Sequence, residues 1–352
     1  DDRTVRLVSS QTRDSVDVLD LDVIGPKGTP GEVRHWNAYV AGVAWALERD
    51  GLGPLAGFDA ALYSCVPLGG GLSSSAALEA ATVVALDEVN DLGLAGTADE
   101  PDDEGRARLA AACVRAENEM AGAPTGGLDQ AASLRAAAGR ALELDCRTGR
   151  ARRVPFDLAE AGLALLVIDT RARHSLVDGQ YGARRAACEK AARILGVELL
   201  ADLEAADLEE RLADLAACGE PDAAELVKRT RHVVTEIERT RNLVALLRDG
   251  RPLAGDKLAR AGELMDASHE SLRVDYECTC PELDAAVEAA RAAGAHGARM
   301  TGGGFGGSAI ALVDADAVDA VARAVVAAYA REGFSPPAFL DAVPSAPAGR
   351  LA

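Results

Sequence analysis

Pro67-Leu68-Gly69-Gly70-Gly71-Leu72-Ser73-Ser74-Ser75-Ala76 follows a short apolar stretch, Ala60 to Val66, and runs straight into an alanine-rich apolar segment ending at Val89. The order predicted is strand, glycine loop, helix, with the helix over Ser73 to Val89. Consecutive glycines let the backbone come close to an anion. Their NH groups and the positive end of the following helix then offer a nest for phosphate. The hydroxyls of Ser73, Ser74 and Ser75 add donors or a metal ligand. The lysine that a Walker A loop places beside the phosphates is absent. Taken alone, the string is equally well a glycine-rich turn closed by a serine N-cap.

Upstream of this loop, Val5 and Leu7 and then Val16, Val18 and Val23 alternate with charges, the pattern of a hairpin or two edge strands. Trp36 to Leu47 spaces its apolar residues at helical intervals and ends near Gly51. Downstream, an acidic loop from Gly96 to Glu104 precedes a helix over Arg106 to Met120. Strands are expected at Ala141 to Asp145 and Leu163 to Asp169, with a domain boundary near Phe156. Glu189 to Gly250 reads as helical, and Gly302 to Val313 as a glycine turn entering a strand at Ala309 to Val313. The chain has 352 residues, 49% of them hydrophobic, enough for two cores.

A formal charge of −19 argues against a nucleic-acid surface, so an anionic substrate needs backbone NH groups or a divalent cation. Seven irregularly spaced cysteines fit a reducing compartment, and the Cys278/Cys280 pair reads as ordinary buried thiols. No apolar run reaches the ~20 residues needed to span a bilayer, so neither membrane nor nucleic acid is an expected partner and a cytoplasmic location is expected.

A second chemistry-bearing stretch is Glu117-Asn-Glu-Met-Ala-Gly-Ala-Pro-Thr-Gly-Gly-Leu-Asp129-Gln130. A carboxylate at a helix end can ligate a divalent cation, and an Asp on a glycine turn can orient or deprotonate a hydroxyl. Taken alone, Asp129 reads first as the cap of a helix over Leu128 to Leu134. Further on, Asp169-Thr-Arg-Ala-Arg-His-Ser-Leu-Val-Asp-Gly-Gln-Tyr181-Gly-Ala-Arg184-Arg185 reads as a surface loop and helix opening with solvated arginines. Arg299-Met-Thr-Gly-Gly-Gly-Phe-Gly-Gly-Ser308 reads as a flexible turn or a close backbone approach.

The loop at Pro67 to Ser75 resembles the ATP loop of the GHMP kinases, Pro-X-Gly-Gly-Gly-Leu-Gly/Ser-Ser-Ser, and the other motifs are similar to those of the galactokinases in the same order, from about Trp36 to about Val313. Thr125 stands where galactokinases usually have Cys, and Ser308 where Cys is common. The resemblance implies an α+β fold of two domains. The first, residues 1–156, is the ATP-binding domain, like the second domain of ribosomal protein S5 and N-terminally incomplete. The second, residues 157–352, is ferredoxin-like, and the active site lies between them.

The resemblance also implies ATP-dependent phosphorylation of the C1 hydroxyl of galactose, with Mg2+ as cofactor, ATP as co-substrate and a monomeric enzyme. Pro67, Gly69, Gly70, Gly71, Leu72, Ser73, Ser74 and Ser75 would hold ATP, with Trp36 near the adenine. Ser74 and Glu117 would ligate the metal. Asp129 would be the catalytic carboxylate, Gly126 and Tyr181 sugar contacts, and Gly302, Gly303 and Gly304 the glycine loop that stabilises the phosphate loop. No chemistry is assigned to His174. A kinase for a related sugar (N-acetylgalactosamine, arabinose or a uronic acid) and a catalytically silent sugar and ATP sensor remain alternatives. The family signature Gly-Arg-Val-Asn-Leu-Ile-Gly-Glu-His-Thr-Asp does not occur in these 352 residues, and the natural protein is expected to carry it upstream of Asp1.

Overall fold

The computed structural model describes all residues except 1, 67–70, 98–99, 124, 173–176 and 352. The sequence expectations for Pro67, Gly69, Gly70 and His174 therefore lie outside the described residues. The chain divides into two compact units, one of residues 2–66, 73–153 and 344–351, the other of residues 71–72 and 154–343. The return of the last residues to the first unit is something a contiguous division at residue 156 does not describe.

In the first unit, β1 (Thr4–Ser9) and β2 (Thr12–Asp20) form the expected hairpin, with Val5 opposite Leu19 and Leu7 opposite Asp17. Period-two alternation sends Val5 and Leu7 inward, where both are fully buried. α1 (Asn37–Arg49) packs its apolar face into the same core. β3 (Asp59–Leu62) lies parallel to β1 on the other side, giving the order β2-β1-β3. This strand is shorter than Ala60 to Val66, because the last ladder bond is Ser10 N to Leu62 O and Val66 N turns back onto Ser64 Oγ.

α2 (Ser74–Val89) begins after Ser73, whose φ of +55° is the left-handed conformation. α3 (Asp103–Arg115) starts earlier than Arg106 because Asp102 caps it, accepting from Glu104 N and Gly105 N. It continues into a π-turn at Ala116–Ala121, which Gly122 ends at φ +69°. α4 (Leu128–Arg135) and the strand pair β4 (Arg140–Asp145) and β5 (Arg150–Pro155) follow. The returning C-terminal segment is fixed by Ala348 N to Ser133 O (2.8 Å) and by the buried Arg106, whose Nη1 donates to both Leu134 O and Ala348 O.

The second unit is built on the antiparallel sheet β7-β8-β6-β9. In chain order it contains β6 (Leu163–Asp169), α5 (Val177–Leu195), α6 (Leu208–Ala216), α7 (Ala223–Leu247) and α8 (Gly255–Ser271). A π-turn at Leu272–Tyr276 leads on to α9 (Pro281–Ala292), β7 (Gly297–Thr301), β8 (Ser308–Asp314), α10 (Val318–Glu332) and β9 (Ala338–Ala342). One core joins α9 and α10 to the sheet, and a second lies among α5, α6 and α7. Among the described residues no helix is long and apolar enough to cross a membrane.

Candidate active site

The first unit gathers its chemistry around the start of α2 and the π-turn. Ser75 and Glu79 stand four residues apart on α2, hence on one face. The π-turn carries Glu117 inward, leaving it only 8% exposed. The Ser75 hydroxyl donates to Glu117. Gln130, fully buried in α4, donates from Nε2 to Glu117 Oε2 (2.5 Å) and to Glu79 Oε2 (3.0 Å). One amide therefore bridges two buried carboxyls.

Burial pushes the Glu117 carboxyl above its ordinary range. The Glu79 carboxyl, fully buried, is pushed up to about 9, first by burial and then by the charge of Glu117. The Tyr39 phenol, half-buried on α1, is raised by burial and by these same two carboxylates. Among the described residues neither Glu79 Oε1 nor Gln130 Oε1, both buried, has a hydrogen-bond partner.

Asp129 lies next to this cluster in sequence but is exposed. The N-cap position of α4 is Gly127, at φ +83° and with no side-chain cap, so Asp129 sits inside the first turn and does not cap the helix. There its charge complements the helix dipole. The turn before it is tied by Asn118 Oδ1, which accepts from Thr125 N (2.7 Å), and by Thr125 Oγ1, which accepts from Gly127 N (3.3 Å). Gly126 is exposed. Trp36 stands at the N-terminus of α1, half-buried against the core.

The arrangement suits a divalent cation. Glu117 is a buried carboxylate at a helix end, Ser75 supplies a hydroxyl beside it, and Glu79, bridged to Glu117 by Gln130, holds a buried Oε1 that has no hydrogen-bond partner among the described residues. Among the described residues no three His, Cys, Asp or Glu side chains converge to form a metal cage. A hard ion that takes one or two carboxylates and completes its shell with phosphate and water needs no such cage.

The second unit holds the other glycine string. Gly302 and Gly303 are exposed, while Gly304, Gly306 and Gly307 are buried. Thr170, at the end of β6, grips the far side of the loop, its Oγ1 and N both donating to Gly307 O (2.6 and 3.0 Å). Gly71 packs on the same place, where an added Cβ would come within 3.1 Å of Gly307 Cα, and a Cβ on Gly302 would come within 3.3 Å of Gly71 O. Tyr181 on α5 is half-buried, with ring Cδ2 3.9 Å from where a Cβ on Gly303 would lie. The sequence-predicted residues thus fall into two groups. Ser73, Ser74, Ser75, Glu117, Gly126, Asp129 and Trp36 belong to the first unit, and Gly71, Leu72, Tyr181, Gly302, Gly303 and Gly304 to the second.

Sequence reading assigned nothing to Glu79 or Tyr39 and no role to Gln130. The available signal for Glu79 was its spacing, one helical turn beyond Ser75 in a run otherwise nearly free of charge.

Comparison with known proteins agrees with these motifs. Residues 38–137 match the GHMP kinases N terminal domain and residues 243–331 the GHMP kinases C terminal domain. The galactokinase of Streptomyces coelicolor is 47% identical over 352 residues, covering 100% of this chain and 84% of that protein. The galactokinase of Bos taurus is 43% identical, over 86% of this chain and 69% of that protein. The crystal structure of Lactococcus lactis galactokinase complexed with galactose superimposes with a TM-score of 0.86 at 32% identity, covering 100% of this chain and 85% of that one. Identity at this level along the whole chain, a common fold and a shared order of motifs have one reading: this chain belongs to the galactokinases, within the GHMP kinase family.

Proposed function

We propose that this chain transfers the γ-phosphoryl group of ATP to the C1 hydroxyl of galactose, yielding galactose 1-phosphate and ADP. The observation that carries the mechanism is the Ser75–Glu117–Gln130–Glu79 cluster beside the exposed Asp129. It supplies a pair of buried carboxyl groups and a solvent-facing carboxylate within one unit.

Asp129 orients the sugar hydroxyl and accepts its proton as the C1 oxygen bonds to the γ-phosphorus and the bond from that phosphorus to the β,γ-bridging oxygen breaks. The leaving electrons go to ADP. Gly126 and Tyr181 contact the sugar. The Gly71 to Ser75 backbone and the N-terminus of α2 face the phosphates, Trp36 lies near the adenine, and Gly302, Gly303 and Gly304 support the phosphate loop. Glu117 and Ser74 would hold Mg2+, with Ser75 beside Glu117, and the ion would supply neutralisation of phosphate charge. Phosphoryl transfer depends chiefly on positioning and electrostatics, which this set of groups provides. Seven free cysteines suit the cytoplasmic location proposed with it, and a monomeric enzyme is proposed as well.

The test is MgATP-dependent turnover on galactose and on its N-acetyl and deoxy analogues, by the unaltered chain and by Asp129→Asn. Turnover on galactose, lowered ~10²- to 10⁴-fold in the variant with melting temperature unchanged, is expected. A variant turning over at the unaltered rate would remove Asp129 from the chemistry.

A further inference from the structure

Four successive carbonyls close the π-turn after α8, and each has a fixed donor. Arg229 Nη1 donates to Asp275 O (2.5 Å), Arg184 Nε to Tyr276 O (2.7 Å), Arg184 Nη2 to Glu277 O (2.9 Å) and Phe305 N to Cys278 O (2.6 Å). The last carbonyls of a helix have no intrahelical partners, and cations are favoured there. Here two guanidiniums serve three of them, and the glycine loop serves the fourth. Gly304, at φ +83°, lies so close to this turn that an added Cβ would fall 2.2 Å from Cys278 O. The end of the π-turn thus sets the height of the loop.

Arg184 is the member that reaches both sides. Its guanidinium carbon lies 5.7 Å from the centre of the Phe305 ring, within cation–π range. Phe305 has φ +59°, a conformation that a bulky residue keeps only when its surroundings enforce it. Three residues earlier on the same face of α5 stands Tyr181, against Gly303. The sequence reading left Arg184 as a solvated arginine, yet its side chain is only 16% exposed and spans 92 residues of sequence to reach Tyr276.

We propose that Arg184 is a positioning residue that holds Tyr181 and the Gly302–Gly307 loop in one register, so that its loss weakens binding of both sugar and nucleotide more than it slows the chemical step. This rests on the galactokinase reading above. A lysine at the site keeps the charge over Phe305 and one donor, whereas a methionine keeps only the apolar stem.

The experiment measures KM for galactose, KM for ATP, kcat and melting temperature for the unaltered chain, Arg184→Met, Arg184→Lys and Arg185→Met. Among the described residues Arg185 pairs only with Glu189, on the surface of α5, and it serves as the control. In Arg184→Met both KM values are expected to rise about tenfold, the order of one lost charge-assisted contact, with kcat changed less than threefold. Arg184→Lys should recover part of the loss and Arg185→Met should match the unaltered chain. Unchanged KM values in Arg184→Met, with activity falling only in step with the folded fraction, overturn the proposal. If that variant does not fold, unaltered KM values in Arg184→Lys overturn it instead. Absence of turnover by the unaltered chain would sink the galactokinase reading separately, and calorimetric binding of ADP and galactose to the same proteins would then read the tenfold loss directly.

Discussion

Replacing Glu79 with Gln should stabilise the first unit at neutral pH. Glu79 is fully buried and its carboxyl is pushed up to about 9 from an ordinary 4.5, foremost by burial. Below pH 4.5 the folded and unfolded chains both carry the proton and the shift costs nothing. Between 4.5 and about 9 the unfolded chain ionises while the folded chain keeps its proton, so stability falls as pH rises, by about 1.4 kcal/mol per pH unit. At pH 7 the deficit is on the order of 3 kcal/mol. An amide in place of the carboxyl does not titrate. It can still accept from Gln130 Nε2, and its own NH2 can serve Gln130 Oε1, which is buried without a partner among the described residues. The assay is thermal melting of both proteins in EDTA, without nucleotide, from pH 5 to 8.5. Since 1 kcal/mol moves the melting point of a unit this size by ~2–4 °C, the variant's advantage should widen by about 3–6 °C per pH unit. A difference that stays flat with pH, or narrows, would show that Glu79 is ionised in the folded chain and refute the reasoning.

Two other substitutions test the packing that holds the candidate groups. Gly304→Ala combines a positive φ with a Cβ 2.2 Å from Cys278 O, so it should lower the melting point of the second unit by the equivalent of ~1–3 kcal/mol and raise KM for ATP, as read by calorimetry and steady-state kinetics. Arg106→Met strips donors from Ala95 O, Leu134 O and Ala348 O, all around a side chain that is 3% exposed. It should cost about 3 kcal/mol and free the last residues for carboxypeptidase digestion.

How far the sequence carried depended on whether the deciding interactions were local. The hairpin, α2 and the strand at Leu163–Asp169 follow from periodicity and glycine punctuation, and they lie where the pattern puts them. The π-turn at Ala116–Ala121 has no composition signal. It arises where α3 takes in an extra residue per turn, and that register brings Glu117 to Gln130. Asp129 offered a capping role, but the left-handed Gly127 takes the N-cap position of α4, two residues before it. Arg184 and Glu79 were hidden for a related reason. The partners of Arg184 lie 92 and 93 residues away, and those of Glu79 lie on other helices, so no local window contains the contact that defines either residue.

The charge balance of the first unit gives the proposed chemistry a direction. Glu79 and Glu117 are both buried, and their hydrogen-bond partners are an amide and a hydroxyl, not cations. Neutral donors offset only part of the cost of burying a carboxylate, which is why both carboxyls are held above their ordinary range. A divalent cation bound at Glu117 would reverse that balance, because it would favour the ionised form that burial disfavours. Cation and nucleotide should therefore bind with mutual assistance and release protons as they do. In a chain of formal charge −19, a cation carried in with the phosphates would also reduce the repulsion that the protein's own side chains present to ATP alone.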